Sequence, residues 1–201
     1  MVNWQKLQDK WTKKWEKDKI FQANPKKDKE KFFGTFPYPY INLYPHVGHF
    51  YSFMRLEAYA RFKRMQGYNV LYPQAWHCTG SPIVNAANRV KNGEEGQIKI
   101  LKDMGFSEDE IPKFKKPSHW IEVFSKGWEQ DLKEVGCSID WRRNFITTSL
   151  NPHYNKFIEW QFRTLREKGH VKKGKKPVVW CPNCNQAIGD HARVEGEGET
   201  P

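Results

Sequence analysis

Two apolar runs separated by a helical pattern restrict this chain more than any other feature. Residues 32–38 (FFGTFPY) have the composition of a buried strand, and Pro37, Pro39 and Pro45 then break the backbone. From His49 to Met65, the residues Phe53, Leu56, Tyr59, Ala60 and Met65 keep roughly helical spacing, and Gly67 suits the close of that helix. Residues 68–72 (YNVLY) supply a second strand, ended by Pro73. Strand, helix and strand within about 40 residues make a βαβ unit, nearly always right-handed with parallel strands. In open parallel sheets, ligands bind beyond the carboxyl ends of the strands. Residues 37–49 and 73–82 lie at such ends, so the two loops are expected to converge on one site.

The first loop ends in His46-Val47-Gly48-His49 at the start of the helix. A helix N-terminus presents backbone N–H groups and partial positive charge to an anion. Gly48 allows close approach of a ligand to the backbone, and the two histidines add donors for phosphoryl oxygens. The alternative is a proline-rich strand–helix turn with two surface histidines, since so short a pattern recurs by chance. The second loop, Gln74 to Pro82, carries His77, Thr79 and Ser81 with Gly80 among them. It suits either the amino and carboxylate groups of a small zwitterion or a polar helix cap.

Around this unit the chain is helical. Trp4, Leu7, Trp11, Trp15 and Ile20 mostly share one face of an N-terminal amphipathic helix with lysines opposite, followed by a charged loop at 22–31. Helices are expected over 82–92, opened near Pro82, and over 94–104. Ser107-Glu108-Asp109-Glu110 matches a capping box. Pro117 opens a helix with Trp120, Val123, Phe124, Trp128, Leu132 and Val135 inward, ended by Gly136. Residues 137–149 suggest an extended segment. Residues 152–168 form a helix with Tyr154, Phe157, Phe162 and Leu165 inward, and 177–180 a short strand. The expected domains are 1–31 (helix and loop), 32–149 (first half of a nucleotide-binding α/β domain with a helical insertion near 93–136) and 150–201 (helix and start of a further insertion).

Charge narrows the partners. A net charge of +11 favours a polyanion such as RNA, DNA or a nucleotide, although a lysine-rich surface gives the same sum. Asp140-Trp141-Arg142-Arg143 is either a phosphate fork or a structural acid–arginine pair; Lys172–Lys176 is a nucleic-acid contact or a solvated turn. No apolar run reaches the ~20 residues that span a bilayer, and the N-terminus lacks a signal-peptide pattern. Four cysteines without an export signal are expected to stay reduced, in the cytoplasm. Cys181 and Cys184 have the spacing of half a zinc site. His191 is the nearest further ligand and His170 another, with no evident fourth.

Together these residues resemble the N-terminal part of a class I aminoacyl-tRNA synthetase, most closely the leucyl branch of archaeal and eukaryotic cytosolic type. The motifs occur in that family's order: FPYPY at 36–40 with His46-Val47-Gly48-His49, WHCTGSPIVNAANRV at 76–90, SEDEIPKF at 107–114, IDWRRNFITT at 139–148 and WCPNCNQAIGDH at 180–191. The valine and isoleucine enzymes share the layout, and SEDEIPKF favours leucine. The resemblance covers essentially the whole chain, with Leu43 and Pro45 standing where the family commonly has glycine and leucine.

The resemblance implies an α/β fold: a partial Rossmann-like parallel sheet with flanking helices and the root of a zinc-knuckle and editing insertion. It implies ATP-dependent activation of leucine and transfer to tRNA(Leu), with Mg²⁺ accompanying ATP. His46 and His49 would be catalytic, and Pro45 and Gly48 would join them in binding ATP. Phe36, Pro37, Tyr38, Tyr40 and His77 would hold leucine, and Cys181, Cys184 and His191 zinc. It also implies an N-terminal fragment, weak or inactive alone, because the second Rossmann half, editing domain and anticodon-binding domain have no counterpart here. The competing expectations are another synthetase of the valine and isoleucine group, a non-catalytic tRNA-binding derivative of the fold, and a stand-alone zinc-ribbon module.

Overall fold

The computed structural model describes residues 2–182 and 186–187. The chain falls into two compact units, residues 1–155 and 156–201.

In the first unit, α1 (Trp4–Asp18) starts at Asn3, whose side chain accepts the Lys6 N–H, and stops at Lys19 in the left-handed region. Trp15 is the anchor of its apolar stripe: it meets Phe21 edge-on and receives the Arg61 guanidinium on its face. Trp4 and Trp11 on the same helix are exposed.

The βαβ unit forms as its pattern predicts. β1 (Lys31–Phe33) pairs in parallel with β2 (Asn69–Leu71), with Phe32 opposite Val70, and α2 (Val47–Met65) connects them. β1 is shorter than the expected 32–38. Pro37 and Pro39 have no N–H to donate to a ladder, so after the Gly34 N–H to Leu71 carbonyl bond the pairing lapses. It resumes beyond the prolines, where His77 N–H donates to the Pro39 carbonyl and Tyr40 bridges His77. β3 (Ala75–Trp76) pairs in parallel with β4 (Phe145–Ile146), which resolves the extended segment near 137–149.

The helical flank is α3 (Ser81–Lys91), α4 (Glu95–Asp103), a 3-10 turn (Ile111–Lys115) and α5 (Pro117–Glu134). Ser107 N–H and Oγ–H both donate to Glu110, closing the expected box ahead of the 3-10 turn. α5 buries Trp120, Phe124, Trp128 and Leu132 in the core, as its spacing predicts, whereas Val135 is exposed because α5 ends there and the chain turns at Gly136 (φ +85°). The core joins these to Ile41, Phe53, Tyr72 and Trp76.

The Asp140–Arg142–Arg143 group is the structural alternative. Asp140 is buried, accepts the Ala23 N–H and is chelated by Arg142. Burial alone would raise its carboxyl, but the bonds from Arg142 and Ala23 outweigh that and hold it below its ordinary value.

α6 (Pro152–Glu167) runs into the second unit, where β5 (Trp180–Cys181) pairs antiparallel with β6 (Gln186–Ala187). None of its residues is buried; the expected inward Phe157, Phe162 and Leu165 are exposed. The strand expected at 177–180 is ordered only from Trp180, and Lys172–Lys176 is an exposed irregular segment. Cys184 and His191 lie outside the described residues. Among the described residues no cluster of three His, Cys, Asp or Glu side chains could hold a metal, and no helix is long and apolar enough to cross a membrane.

Candidate active site

The histidine turn is built by α2 capping itself. His46 is the N-cap, with extended backbone (φ −116°, ψ 171°). Its Nδ1 accepts the Gly48 N–H at 3.1 Å, and its own N–H donates to Nδ1 of His49 at 3.3 Å. This is a capping box in which imidazoles replace the usual hydroxyl and carboxylate. An Nδ1 that accepts is unprotonated, so each neutral ring carries its proton on Nε2. The two rings lie 3.9 Å apart between centroids. With Nδ1 of each ring taken up, Nε2 is left as the donor on both, beside the positive end of the helix. Gly48 suits the same geometry, because a Cβ there would sit 3.0 Å from the His46 ring and that ring would have to give by a few tenths of an ångström.

His49 is half-buried, and burial first, then the neighbouring His46, push it below the ordinary histidine value of 6.5. Burial does the same to His77. Both rings are therefore neutral near pH 7 and act as hydrogen-bonding groups rather than fixed cations.

The two loops converge as their positions at the strand ends predict. Tyr40 stacks on His77 with 4.1 Å between centroids, and the backbones bridge at the same residues. A cleft of about 410 Å³ opens along the first loop, lined by Phe36 to Tyr40, Asn42, Leu43, His46 and His49, with Trp128 of α5. Phe36 forms its floor by stacking on Phe53 at 3.9 Å, and Tyr38 meets Phe145 edge-on. The expected residues Phe36, Pro37, Tyr38, Tyr40, His46 and His49 thus share one cleft, with His77 behind Tyr40. Pro45 and Gly48 stand within the turn itself.

Gly80 closes the second loop at φ +92°, ψ −177°, a conformation essentially confined to glycine. Gly80→Ala is expected to cost about 1–3 kcal/mol of stability. A fall in the urea midpoint at unchanged slope checks it; an unchanged midpoint overturns it.

Trp128 is the site residue that sequence reasoning assigned only to the core. Its indole N–H donates to the Leu43 carbonyl at 2.7 Å, and its ring meets His49 edge-on at 4.9 Å. The apolar spacing of α5 gives no sign of this, because the partner lies 85 residues away.

The chain matches the family of class I tRNA synthetases (I, L, M and V) over residues 10–198. It is 53% identical over 189 residues to the leucine–tRNA ligase of Aeropyrum pernix, an alignment covering 94% of this chain and 20% of that protein. The leucine–tRNA ligase of Methanopyrus kandleri is 47% identical over the same shares, and that of Pyrococcus furiosus 45% over 98% and 21%. The chain therefore spans about a fifth of the length of the curated relatives it matches. Its fold is similar to that of the leucyl-tRNA synthetase agnB2 from Agrobacterium radiobacter K84, solved with tRNA and LeuAMS. The TM-score is 0.69 at 23% identity, over 89% of this chain and 19% of that one.

Proposed function

The chain belongs to the class I tRNA synthetases, and from that premise we propose that its cleft serves the ATP-dependent activation of leucine, with tRNA(Leu) as the later acceptor. One observation carries this: two histidines, each accepting a backbone N–H at Nδ1, sit together at the start of a 19-residue helix and line the cleft. The names of the relatives narrow the amino acid to leucine.

Activation needs no general base in this cleft. An α-carboxyl group with a pKa of about 3.3–3.7 is already ionised at neutral pH. A carboxylate oxygen attacks the α-phosphorus of ATP, the new O–P bond forms, the bond to the β-phosphate bridging oxygen breaks, and pyrophosphate leaves with that electron pair. The protein's contribution is positioning and stabilisation of charge growing on the phosphoryl oxygens. His46 and His49 donate to those oxygens. Tyr40, backed by His77, holds the amino end of leucine, while Phe36 and Tyr38 meet its side chain. Mg²⁺ arrives with ATP as part of the substrate. The net charge of +11 suits the tRNA backbone, and the setting is the cytoplasm.

Leucine-dependent ATP–pyrophosphate exchange tests the proposal in a full-length ligase that carries these residues. Exchange with leucine well above that with valine or isoleucine is expected. Absence of leucine-dependent exchange, alongside salt-sensitive tRNA binding, overturns it in favour of a non-catalytic tRNA binder.

A further inference from the structure

The turn that carries His46 and His49 does not stand alone: one face of α5 holds it from behind. At the near end of that face Phe124 meets Tyr44 edge-on at 5.0 Å. One turn further along α5, Gly127 leaves room for the Tyr44 ring, which a Cβ at that position would overlap. Trp128, next in sequence, donates its indole N–H to the Leu43 carbonyl at 2.7 Å and sets its ring against His49. Trp128 also packs on Phe53 of α2 and on Trp76 of β3, at 6.2 and 5.9 Å between centroids. A single residue thus touches the approach to the turn, the histidine on the helix it caps, and the strand that leads to the second loop. A core tryptophan needs only its volume; this one also spends its sole donor on the loop backbone, three residues before the N-cap.

We propose that Trp128, with Gly127 beside it, is a positioning residue that fixes the histidine turn for nucleotide binding by holding the Leu43 carbonyl and the His49 ring. The linkage is short and physical. The indole N–H sets where residue 43 lies, residues 43–46 set where the His46 N–H points, and that N–H fixes His49 in the tautomer with its proton on Nε2. When the indole bond is lost, the turn is released and the tautomer is no longer dictated. The proposal rests on the nucleotide-site reading above for its purpose, but the geometry it claims is measurable without nucleotide.

The test uses this chain and Trp128→Phe, which keeps an aromatic ring in the core and removes only the donor and one ring's volume. Imidazole ¹⁵N shifts of His49 are recorded without ligand in this chain, and ATP–Mg²⁺ binding is measured by calorimetry on a full-length ligase that carries these residues, with and without the substitution. In the unmodified chain the two nitrogens of His49 are expected to be well separated, as a single tautomer requires. In Trp128→Phe they are expected to converge, and the ATP dissociation constant to rise about three- to tenfold, the range one neutral hydrogen bond allows. Gly127→Ala is the second variant: it favours the helix by propensity yet displaces Tyr44, and the same convergence is expected. It decides the matter should Trp128→Phe fail to fold. Unchanged His49 shifts in a folded variant overturn the proposal. If the unmodified full-length ligase binds no ATP, the nucleotide-site reading fails, while the histidine shifts still decide whether α5 holds the turn.

Discussion

In a full-length ligase that carries these residues, replacing His49 by alanine is expected to lower leucine-dependent pyrophosphate exchange about 10²–10³-fold, the usual cost of removing one donor aimed at a developing oxyanion. His49 has two jobs on opposite sides of its ring. Nδ1 accepts the His46 N–H and caps α2, which leaves Nε2 as the nitrogen free to donate where His49 lines the cleft. Alanine removes both, so its effect mixes lost capping with lost donation. His49→Asn separates them, because the asparagine Oδ1 falls close to where Nδ1 was and nothing replaces Nε2. Helix content and thermal midpoint should then stay near those of the unmodified protein, with exchange as low as in His49→Ala. The loss should fall on kcat more than on the KM for ATP, since the charge appears only as the carboxylate attacks. Exchange by His49→Asn within about threefold of the unmodified enzyme, far below the loss such donors usually carry, removes His49 from the chemistry and leaves it as a cap.

Replacing Glu57 by alanine is expected to cost about 3 kcal/mol of stability, the upper end for leaving a buried donor without its charged acceptor. Glu57 sits mid-way along α2 and is only 5% exposed. It accepts from the Ser138 N–H at 2.8 Å and from its hydroxyl at 3.0 Å, and it pairs with Arg61 one turn on. Arg64 completes the arrangement by donating to Ser138 Oγ and to its carbonyl. The helix that carries both histidines is thereby bolted to the segment that follows α5. Without the carboxylate, the Ser138 N–H is left buried without its acceptor and two guanidiniums face each other unbalanced. Glu57→Gln keeps the volume and one acceptor and is expected to lose less, about 1–3 kcal/mol. Urea unfolding of the chain measures both; a loss below about 1 kcal/mol for Glu57→Ala, under the range for a stripped buried donor, shows that the network contributes no net stability.

What could be foreseen, and what could not, divides along contact range. Gly67 and Gly136 close helices because a positive φ is needed just past a helix end, and each lies where the apolar period stops. The convergence of the two loops follows from parallel strands, whose carboxyl ends share one edge. The same logic overshot at Pro37 and Pro39, where composition predicts a strand but the missing N–H groups prevent a ladder. It overshot again on α6, because a helical apolar period says that one face is apolar and nothing about what lies against it.

Glu57 and Trp128 were invisible for a different reason. A mid-helix glutamate has the look of a solvated face, and a tryptophan in an apolar stripe has the look of core. Only partners 81 and 85 residues distant in sequence give them their roles.

By itself, then, the sequence determined the α/β order, the helix ends, the pairing of the two loops at one edge and the histidine turn. These depend on backbone chemistry and periodicity within a few residues. The tertiary structure alone decided which nitrogen of each histidine is taken up in the cap, that α5 holds the turn from behind, and that the acid at 140 serves the scaffold. Each of those depends on a directional bond between distant segments, and hydrophobic burial, which is what a sequence pattern encodes, carries no direction.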